Sequence, residues 1–188
     1  MAKRFAGRSD LALTEDGLYQ ARRVARRVAE LGPVAAVYSS PLRRTRQTAD
    51  EVAARLGIDP PIVEDGLIET DFGEWDGLTF EQVQQKWPAE LNRWLGDSAV
   101  APPGGESQDA VARRVRRARD RILAQHARTT VALVTHVSPI KILVALALTA
   151  PPAAVHRMYL GPASVSVIDY FADGPVSLRS FNDTAHLS

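Results

Sequence analysis

The stretch TTVALVTHVSPIKILVALAL, residues 129–148, decides the fold class. Its first half is a run of β-branched and aliphatic residues that ends on a lone histidine, His136, and its second half is an apolar helix that begins at Ser138-Pro139, with Ser138 as its N-cap. We predict a buried strand that leads directly into a helix, as in an α/β protein. The strand would then present His136 at the edge where such proteins bind ligands. Taken alone, a histidine satisfied within the core is the simpler interpretation of His136.

Elsewhere in the chain, apolar residues at helical spacing alternate with short apolar runs. This alternation predicts helices at 14–32, 41–57 and 107–126, strands at 34–40 and 61–65, one or two short helices within 79–97, and a hairpin around Asp173-Gly174. Thr14 and a Thr79/Gln82 capping box are the predicted helix starts, and Pro41 is placed in a first turn. The order of the elements indicates one α/β domain over residues 1–188.

Composition excludes several classes of protein. The net charge is only +1, so no overall field attracts nucleic acid or an anionic membrane. The chain has no cysteine, which excludes disulfides and a cysteine nucleophile and fits a cytoplasmic location. The first ten residues resemble no signal peptide, and the apolar run 142–147 is too short to cross a bilayer.

Two arginine-rich stretches, at 22–27 and 113–121, invite comparison with nucleic-acid-binding patches. On their helices, however, Val24, Val28 and Val115 claim the inner face, and we expect the arginines to point outward among acidic residues. A solvated helix face is therefore the preferred interpretation, and nucleic acid is not an expected partner of this domain.

Motifs for metal and serine chemistry are absent or incomplete. The four histidines lack metal-ligand spacing, and there is no dinucleotide or P-loop fingerprint, so metal catalysis is not predicted. The segment 105–109 departs from a nucleophile elbow at Asp109, and the S-x-x-K match at 138–141 lacks its companion motifs.

Three pieces with complementary chemistry remain. Arg43 and Arg44 lie in the first turn of a helix, where cations are unfavourable unless a bound anion or an acidic partner offsets them. Glu69 and Asp71 lie in a glycine-containing loop beside aromatic residues, which predicts either a carboxyl of raised pKa or a capped turn with an aromatic plug. With His136, these residues describe phosphoryl transfer better than any other reaction.

At these residues the sequence resembles the histidine phosphatase superfamily, with its phosphoglycerate mutase-like fold, and within it the alpha-ribazole phosphatase-like branch. The matching segments are SSPLRRTRQTA, LIETDFGEWDG, VALVTHVSPIK, PPGGES and LTEDGLYQA. The resemblance implies a mostly parallel sheet flanked by helices in three layers, with Arg44 binding phosphate and with Glu69 and His136 catalytic. It also implies no cofactor and a phosphorylated small molecule as partner. The chain is also similar to the acid phosphatase domain fused to ribonuclease H in some actinobacteria.

The sequence departs from the family in one respect: it contains no Arg-His-Gly, the family's first-strand motif, whose histidine attacks phosphorus. We expect the first strand to be absent, the sheet edge beside it to be open, and the chain as given to be nearly inert. The leading interpretation is a histidine phosphatase domain that is N-terminally truncated, because the sequence was cut or its initiator misassigned. The alternatives are a non-catalytic pseudophosphatase that binds a phosphorylated ligand and, less favoured, a nucleic-acid-associated accessory domain. Arg8, Arg43 and Ser107 are weaker substrate-pocket candidates, and loops such as 76–104 would recognise the leaving group. A homodimer or a fusion partner domain is possible on this interpretation.

Overall fold

A parallel sheet lies at the centre of the structure, a computed structural model that describes residues 4–188. The sheet order is β2-β1-β3, and both pairings are parallel. The strands are β1 (Ala36–Ser39), β2 (Ile62–Val63) and β3 (Val131–Val134). Because the three strands run in the same direction, their carboxyl ends meet at one edge of the sheet, the edge that carries ligands in open α/β proteins.

Helices cover both faces of this sheet. The helices are α1 (Glu15–Glu30), α2 (Arg43–Leu56), α3 (Phe80–Lys86), α4 (Pro88–Gly96), α5 (Gln108–Gln125) and α6 (Val137–Ala147). Val37 of β1 packs against residues of α1 and α2, whereas its neighbour Tyr38 packs against Leu67 and residues of α5. Successive strand residues thus enter opposite apolar layers, as expected for a strand covered on both sides. The predicted α/β class, a mostly parallel sheet flanked by helices, is confirmed.

Helix starts agree with the sequence in some places and not in others. The Thr14 hydroxyl accepts a hydrogen bond from the N–H of Gly17, as expected of an N-cap. The placement of Pro41 in a first turn is wrong, because the backbone is still extended at Leu42 (φ −71°, ψ 141°) and α2 begins only at Arg43. Arg43 and Arg44 are therefore the first two residues of α2.

The predicted start of α6 is also wrong. The chain is extended at His136 (φ −123°, ψ 178°) and turns into the helix at Val137, so His136 occupies the N-cap position. Ser138 lies inside the first turn, where its N–H and hydroxyl are free to serve another group. Sequence alone favoured Ser138 because serine is a far commoner N-cap than histidine.

The segment between β2 and α5 forms a small helical unit with its own apolar centre. Thr79 and Gln82 make the predicted capping box at the start of α3, with N···O distances of 3.2 and 2.9 Å. Trp75 is fully buried and its ring lies 5.6 Å from that of Trp94. Phe5, which lies outside this segment, also contacts the rings of Trp75 and Trp94, so the aromatic cluster ties the segment to the N-terminal part of the chain.

A hairpin follows α6, formed by β4 (Val165–Tyr170) and β5 (Val176–Asp183). Its turn contains Gly174 at φ +104°, a backbone conformation that glycine adopts readily, as the Asp173-Gly174 signal predicted. Within the described residues β4 and β5 pair only with each other.

The edge of β3 that faces away from β1 is unpaired in the described part of the chain. All four residues of β3 are only half-buried, although the sequence predicts a buried strand. Val134 of β3 and Val165 of β4 belong to one apolar cluster, and Leu133 of β3 and Ile168 of β4 belong to another. The strands β3 and β4 therefore lie between the same two apolar layers without sharing a sheet. No helix among residues 4–188 is long and apolar enough to cross a membrane, and the cytoplasmic location stays a prediction.

Candidate active site

His136 lies at the carboxyl edge of the sheet, two residues beyond the end of β3. Its side chain is buried, and its Nε2 lies 2.7 Å from the hydroxyl oxygen of Ser40. Ser40 directly follows β1 and is itself fully buried. The hydrogen bond thus joins the ends of two neighbouring strands and fixes the orientation of the imidazole.

Glu69 reaches the same edge from the segment that follows β2. The Thr135 hydroxyl donates to the carbonyl of Leu67, which ties this segment to the end of β3. The Glu69 carboxyl accepts hydrogen bonds from the N–H groups of Thr70, at 2.6 Å, and Ser138, at 3.3 Å. Its side chain is almost completely buried. The segments that follow β1, β2 and β3 therefore bring Ser40, Glu69 and His136, respectively, to the carboxyl edge of the sheet.

Burial sets the protonation of both titratable groups. It raises the pKa of the Glu69 carboxyl, and the hydrogen bonds from Thr70 and Ser138 and the charge of Arg44 offset only part of that effect. Burial lowers the pKa of His136 to about 3, helped by the positive charges of Arg44 and Arg114. At neutral pH the imidazole is therefore uncharged, and the Glu69 carboxyl keeps its proton to a higher pH than an exposed glutamate does.

Arg44, in the first turn of α2, supplies positive charge to the site. One guanidinium nitrogen donates to the carbonyl of Ser9 at 2.7 Å and the other to the carbonyl of Gly7 at 2.9 Å. These contacts hold a half-buried guanidinium whose charge acts on both Glu69 and His136. The structure thus brings together the three residues that the sequence singled out, Arg44, Glu69 and His136.

An acidic partner occupies the start of α2, which is one of the two alternatives that the sequence left open. The Asp10 carboxylate accepts a hydrogen bond from the backbone N–H of Arg43 at 2.6 Å, while the Arg43 side chain is exposed. The negative group that this helix terminus favours is therefore supplied by the chain itself. The substrate-pocket role of Arg43 remains a prediction.

The remaining candidates have structural contacts. The Arg8 guanidinium forms ion pairs with the carboxylates of Asp71, at 3.5 Å, and Glu106, at 3.3 Å. The Ser107 hydroxyl accepts from an amide in the first turn of α5 and is the N-cap of that helix. Asp71 accepts from the N–H of a glycine two residues on, the capped turn that was the alternative interpretation of this loop. Substrate contact by Arg8 or Ser107 stays a prediction.

Three polar residues of this site were missed from the sequence: Ser40, Ser138 and Arg114. Nothing in the local pattern distinguishes Ser40, since serine is common where strands end. The expectation that the arginines of 113–121 all point outward is wrong for Arg114 and Arg119, whose side chains are only 19% and 20% exposed. Arg114 pairs with Glu106, and Arg119 lies over the ring of Tyr170. Val115 lies on the inner face as expected, but Arg114 lies at the side of that face and contacts the loop of residues 66–69.

The other histidines lie away from Glu69. His126 contacts the Tyr38 hydroxyl, the His156 ring lies against that of Trp94, and His186, near the C-terminus, contacts the backbone carbonyl of Ala163. Among residues 4–188, no group of three or more histidine, aspartate or glutamate side chains could hold a metal ion.

These features define an α/β protein with an arginine, a buried carboxyl and a neutral histidine at the carboxyl edge of a parallel sheet. The family model described as histidine phosphatase superfamily (branch 1) matches residues 1–184. The chain belongs to this superfamily, and this membership supports a phosphatase-type function. The narrower resemblance to the alpha-ribazole phosphatase-like branch stays a prediction.

Individual relatives agree with this assignment. The chain is 45% identical over 185 residues to the bifunctional protein Rv2228c of Mycobacterium tuberculosis, a match that covers 98% of this chain and 50% of that protein. It thus spans about half the length of these curated relatives. It is 33% identical to phosphoserine phosphatase 1 of Hydrogenobacter thermophilus, covering 98% of this chain and 86% of that one. A mycobacterial glucosyl-3-phosphoglycerate phosphatase, solved with inorganic phosphate, superposes with a TM-score of 0.85 at 31% identity, covering 100% of this chain and 95% of that chain.

Proposed function

We propose that this single domain, residues 1–188, hydrolyses phosphomonoesters by way of a phosphohistidine when its site is complete. The observation that carries the proposal is the buried carboxyl of Glu69, whose pKa is raised, at the same edge of the sheet as the neutral imidazole of His136; the charge of Arg44 acts on both groups. An arginine fork binds phosphate oxygens, and a carboxyl that holds its proton can protonate a leaving oxygen. Two relatives are named for phosphoserine and glucosyl-3-phosphoglycerate, which favours a phosphorylated small molecule as substrate.

The proposed reaction has two balanced steps. A histidine nitrogen attacks phosphorus, the P–O bond to the leaving group breaks, and Glu69 gives its proton to the departing oxygen. Water then attacks phosphorus, the P–N bond breaks, and the Glu69 carboxylate takes the proton from that water. Inorganic phosphate leaves, and the free histidine and the protonated carboxyl are restored.

His136 and Arg44 act on the phosphoryl group in this scheme. Arg44 binds two of its oxygens, because the planar guanidinium matches that geometry. The pKa of His136 is low in the empty site partly because Arg44 and Arg114 are positive. A bound phosphate dianion opposes those charges, so His136 gains a proton more readily when phosphate is present, and it then stabilises the charge on the transferring group.

The nucleophile in this proposal is a histidine that the 188 residues do not contain. Of the four histidines, His136 is the one that caps the helix whose first turn binds the Glu69 carboxyl, and the sequence has no Arg-His-Gly. We place the nucleophile at the end of a strand between β3 and β4. Two observations support this position: the outer edge of β3 is unpaired among the described residues, and β3 and β4 contribute to the same two apolar clusters. A strand there would satisfy the open edge and bury the half-exposed residues of β3.

The 188-residue chain is therefore proposed to bind phosphate and to turn over very slowly. Removing a covalent nucleophile can reduce the rate by a factor on the order of 10⁶. A pseudophosphatase that binds a phosphorylated ligand is the second candidate, and the observation that favours it is the missing Arg-His-Gly. A homodimer or a fused partner domain remains a proposal on the same footing; the length of the bifunctional relative is compatible with fusion.

The deciding experiment measures hydrolysis of an aryl phosphate between pH 5 and 8 by two proteins. One is the 188-residue chain, and the other is the same chain extended upstream by the natural coding sequence. We expect turnover only from the extended protein, with loss of turnover in Glu69→Gln and no change in Glu74→Gln, a matched substitution at an exposed position. We also expect inorganic phosphate to bind both proteins and to bind Arg44→Ala much more weakly.

Other outcomes identify the alternatives. Phosphate binding by both proteins with turnover by neither would favour the pseudophosphatase. Turnover by the 188-residue chain that is abolished in His136→Ala would refute the missing nucleophile and make His136 the attacking group.

A further inference from the structure

Arg114 makes an unusually complete set of contacts for an arginine in a helix rich in solvated arginines. Its guanidinium donates to three carbonyl oxygens of one short segment, those of Gly66 at 3.0 Å, Ile68 at 2.5 Å and Glu69 at 3.1 Å. The same guanidinium also binds both carboxylate oxygens of Glu106 at 2.9 Å. One side chain of α5 therefore holds the backbone on the N-terminal side of Glu69 and at Glu69 itself.

Glu106 holds the other side of the same loop. Its carboxylate accepts from the N–H of Asp71 at 3.4 Å, and its own N–H donates to the carbonyl of Asp71 at 2.8 Å. Burial by itself would raise the pKa of Glu106, but the hydrogen bonds and charge of Arg114 hold that pKa below its usual value. Glu106 is therefore an anion that binds Arg114 on one side and Asp71 on the other.

We propose that Arg114 and Glu106 form a positioning pair that fixes the depth and direction of the Glu69 carboxyl for proton transfer. The proposal rests on the function proposed above for Glu69. Neither residue of the pair touches the Glu69 carboxyl; both act through the backbone of residues 66–71. A loop held at both ends keeps its central side chain buried, whereas a loop held at one end can swing that side chain toward water.

The need for such a device follows from the burial of Glu69. A buried carboxyl gains its proton affinity from the exclusion of water, so a small outward movement removes both the raised pKa and the alignment with the leaving oxygen. The N–H of Thr70 belongs to the same loop, and the N–H of Ser138 on α6 binds the carboxyl at 3.3 Å, so neither group holds the backbone of the loop against α5. Arg114 does, and α5 is anchored to the core by Val111 and Val115, which are fully buried.

Lysine is the informative replacement for Arg114. It keeps the positive charge but has one compact ammonium group, which cannot serve three carbonyls and a bidentate carboxylate at once. Arg117→Lys, on the same helix at an exposed position, is the matched control. Glu106→Gln is the second variant: it keeps the shape of Glu106 and removes the charge that binds Arg114, and it serves if Arg114→Lys fails to fold.

The first measurement is the NMR titration of the Glu69 side-chain carboxyl in the 188-residue chain, which requires no turnover. We expect the midpoint in Arg114→Lys and in Glu106→Gln to move down toward that of an exposed glutamate, and to stay unchanged in Arg117→Lys. The proposal is overturned if Arg114→Lys and Glu106→Gln melt at a lower temperature yet titrate at Glu69 as the wild type does, because the pair would then be only structural.

The second measurement is the pH–rate profile of the upstream-extended protein. We expect Arg114→Lys to lower kcat by about tenfold or more with little change in KM. We also expect it to shift the limb of the pH–rate profile on which activity falls as the Glu69 carboxyl loses its proton. An unchanged kcat and an unchanged limb would refute the proposal. If Glu69→Gln leaves turnover unaffected in the same protein, the function proposed for Glu69 fails, and this result is distinct from a failure of the pair.

Discussion

Lowering the pH from 7 to 5 should destabilise the protein through His136, and the size of the effect can be worked out. The pKa of this imidazole is about 3 in the folded state against 6.5 in the unfolded chain. Below pH 6.5 His136 is therefore protonated in the unfolded state, whereas in the folded state it stays neutral down to about pH 3. Stability is fully present above the unfolded value and is lost as the pH falls.

At pH 5 the pH lies about 1.5 units below the pKa of the histidine in the unfolded chain, which corresponds to a loss of roughly 2 kcal/mol of unfolding free energy. The assay is urea unfolding of the wild type and of His136→Gln at a series of pH values from 5 to 8. The variant has its own stability at pH 7, so the quantity of interest is the change in the difference between the two proteins. Glu69, whose pKa is raised, contributes the opposite slope, but it is present in both proteins.

We expect the two curves to run parallel between pH 7 and 8, where His136 is neutral in both states. Below pH 6.5 the wild type should lose about 2 kcal/mol more than the variant on reaching pH 5. Parallel curves over the whole range would refute the reasoning, because they would mean that His136 is protonated as easily in the folded protein as in the unfolded one.

Four further substitutions test the insertion. Trp75→Ala removes a fully buried indole and should cost about 3–5 kcal/mol in urea unfolding. Gly73→Ala should lower the free energy of unfolding more than Gly77→Ala. Both glycines have positive φ, but a Cβ at Gly73 would lie 2.1 Å from the carbonyl oxygen of Pro103, whereas a Cβ at Gly77 meets open space and should cost only about 1 kcal/mol. Equal losses of stability would contradict this. Thr79→Ala should cost about 1 kcal/mol by breaking the capping box, and no loss would mean that water replaces it.

The elements themselves could be predicted because their signals are local. Hydrophobic spacing and caps locate α1, α2 and α5 to within a few residues, and the Asp173-Gly174 turn locates the hairpin. Motif resemblance also selected Arg44, Glu69 and His136, which the structure brings to one place. Their roles in catalysis stay a proposal.

The contacts that complete the site could not be predicted because they join distant parts of the chain. Ser40 meets His136 across a separation of 96 residues, and Arg114 meets the Gly66 carbonyl across 48. Arginine periodicity assigned Arg114 to solvent, since a pattern on one helix carries no information about the loop packed beside it. The half-burial of β3 has the same origin: an apolar run predicts burial, but the extent of burial depends on the neighbouring strand.

The insertion between β2 and α5 is closed at its base. The Glu74 N–H donates to the Pro103 carbonyl at 2.9 Å, and the Glu106 N–H donates to that of Asp71 at 2.8 Å, so the chain leaves and re-enters the domain at one fixed point. The closure entropy of a loop depends only weakly on the number of residues beyond its base. We therefore expect changes in the length of residues 76–102 that preserve the packing on Trp75 to leave Glu69 in place. This segment, the proposed site of leaving-group recognition, can then vary while the proposed proton donor keeps its position.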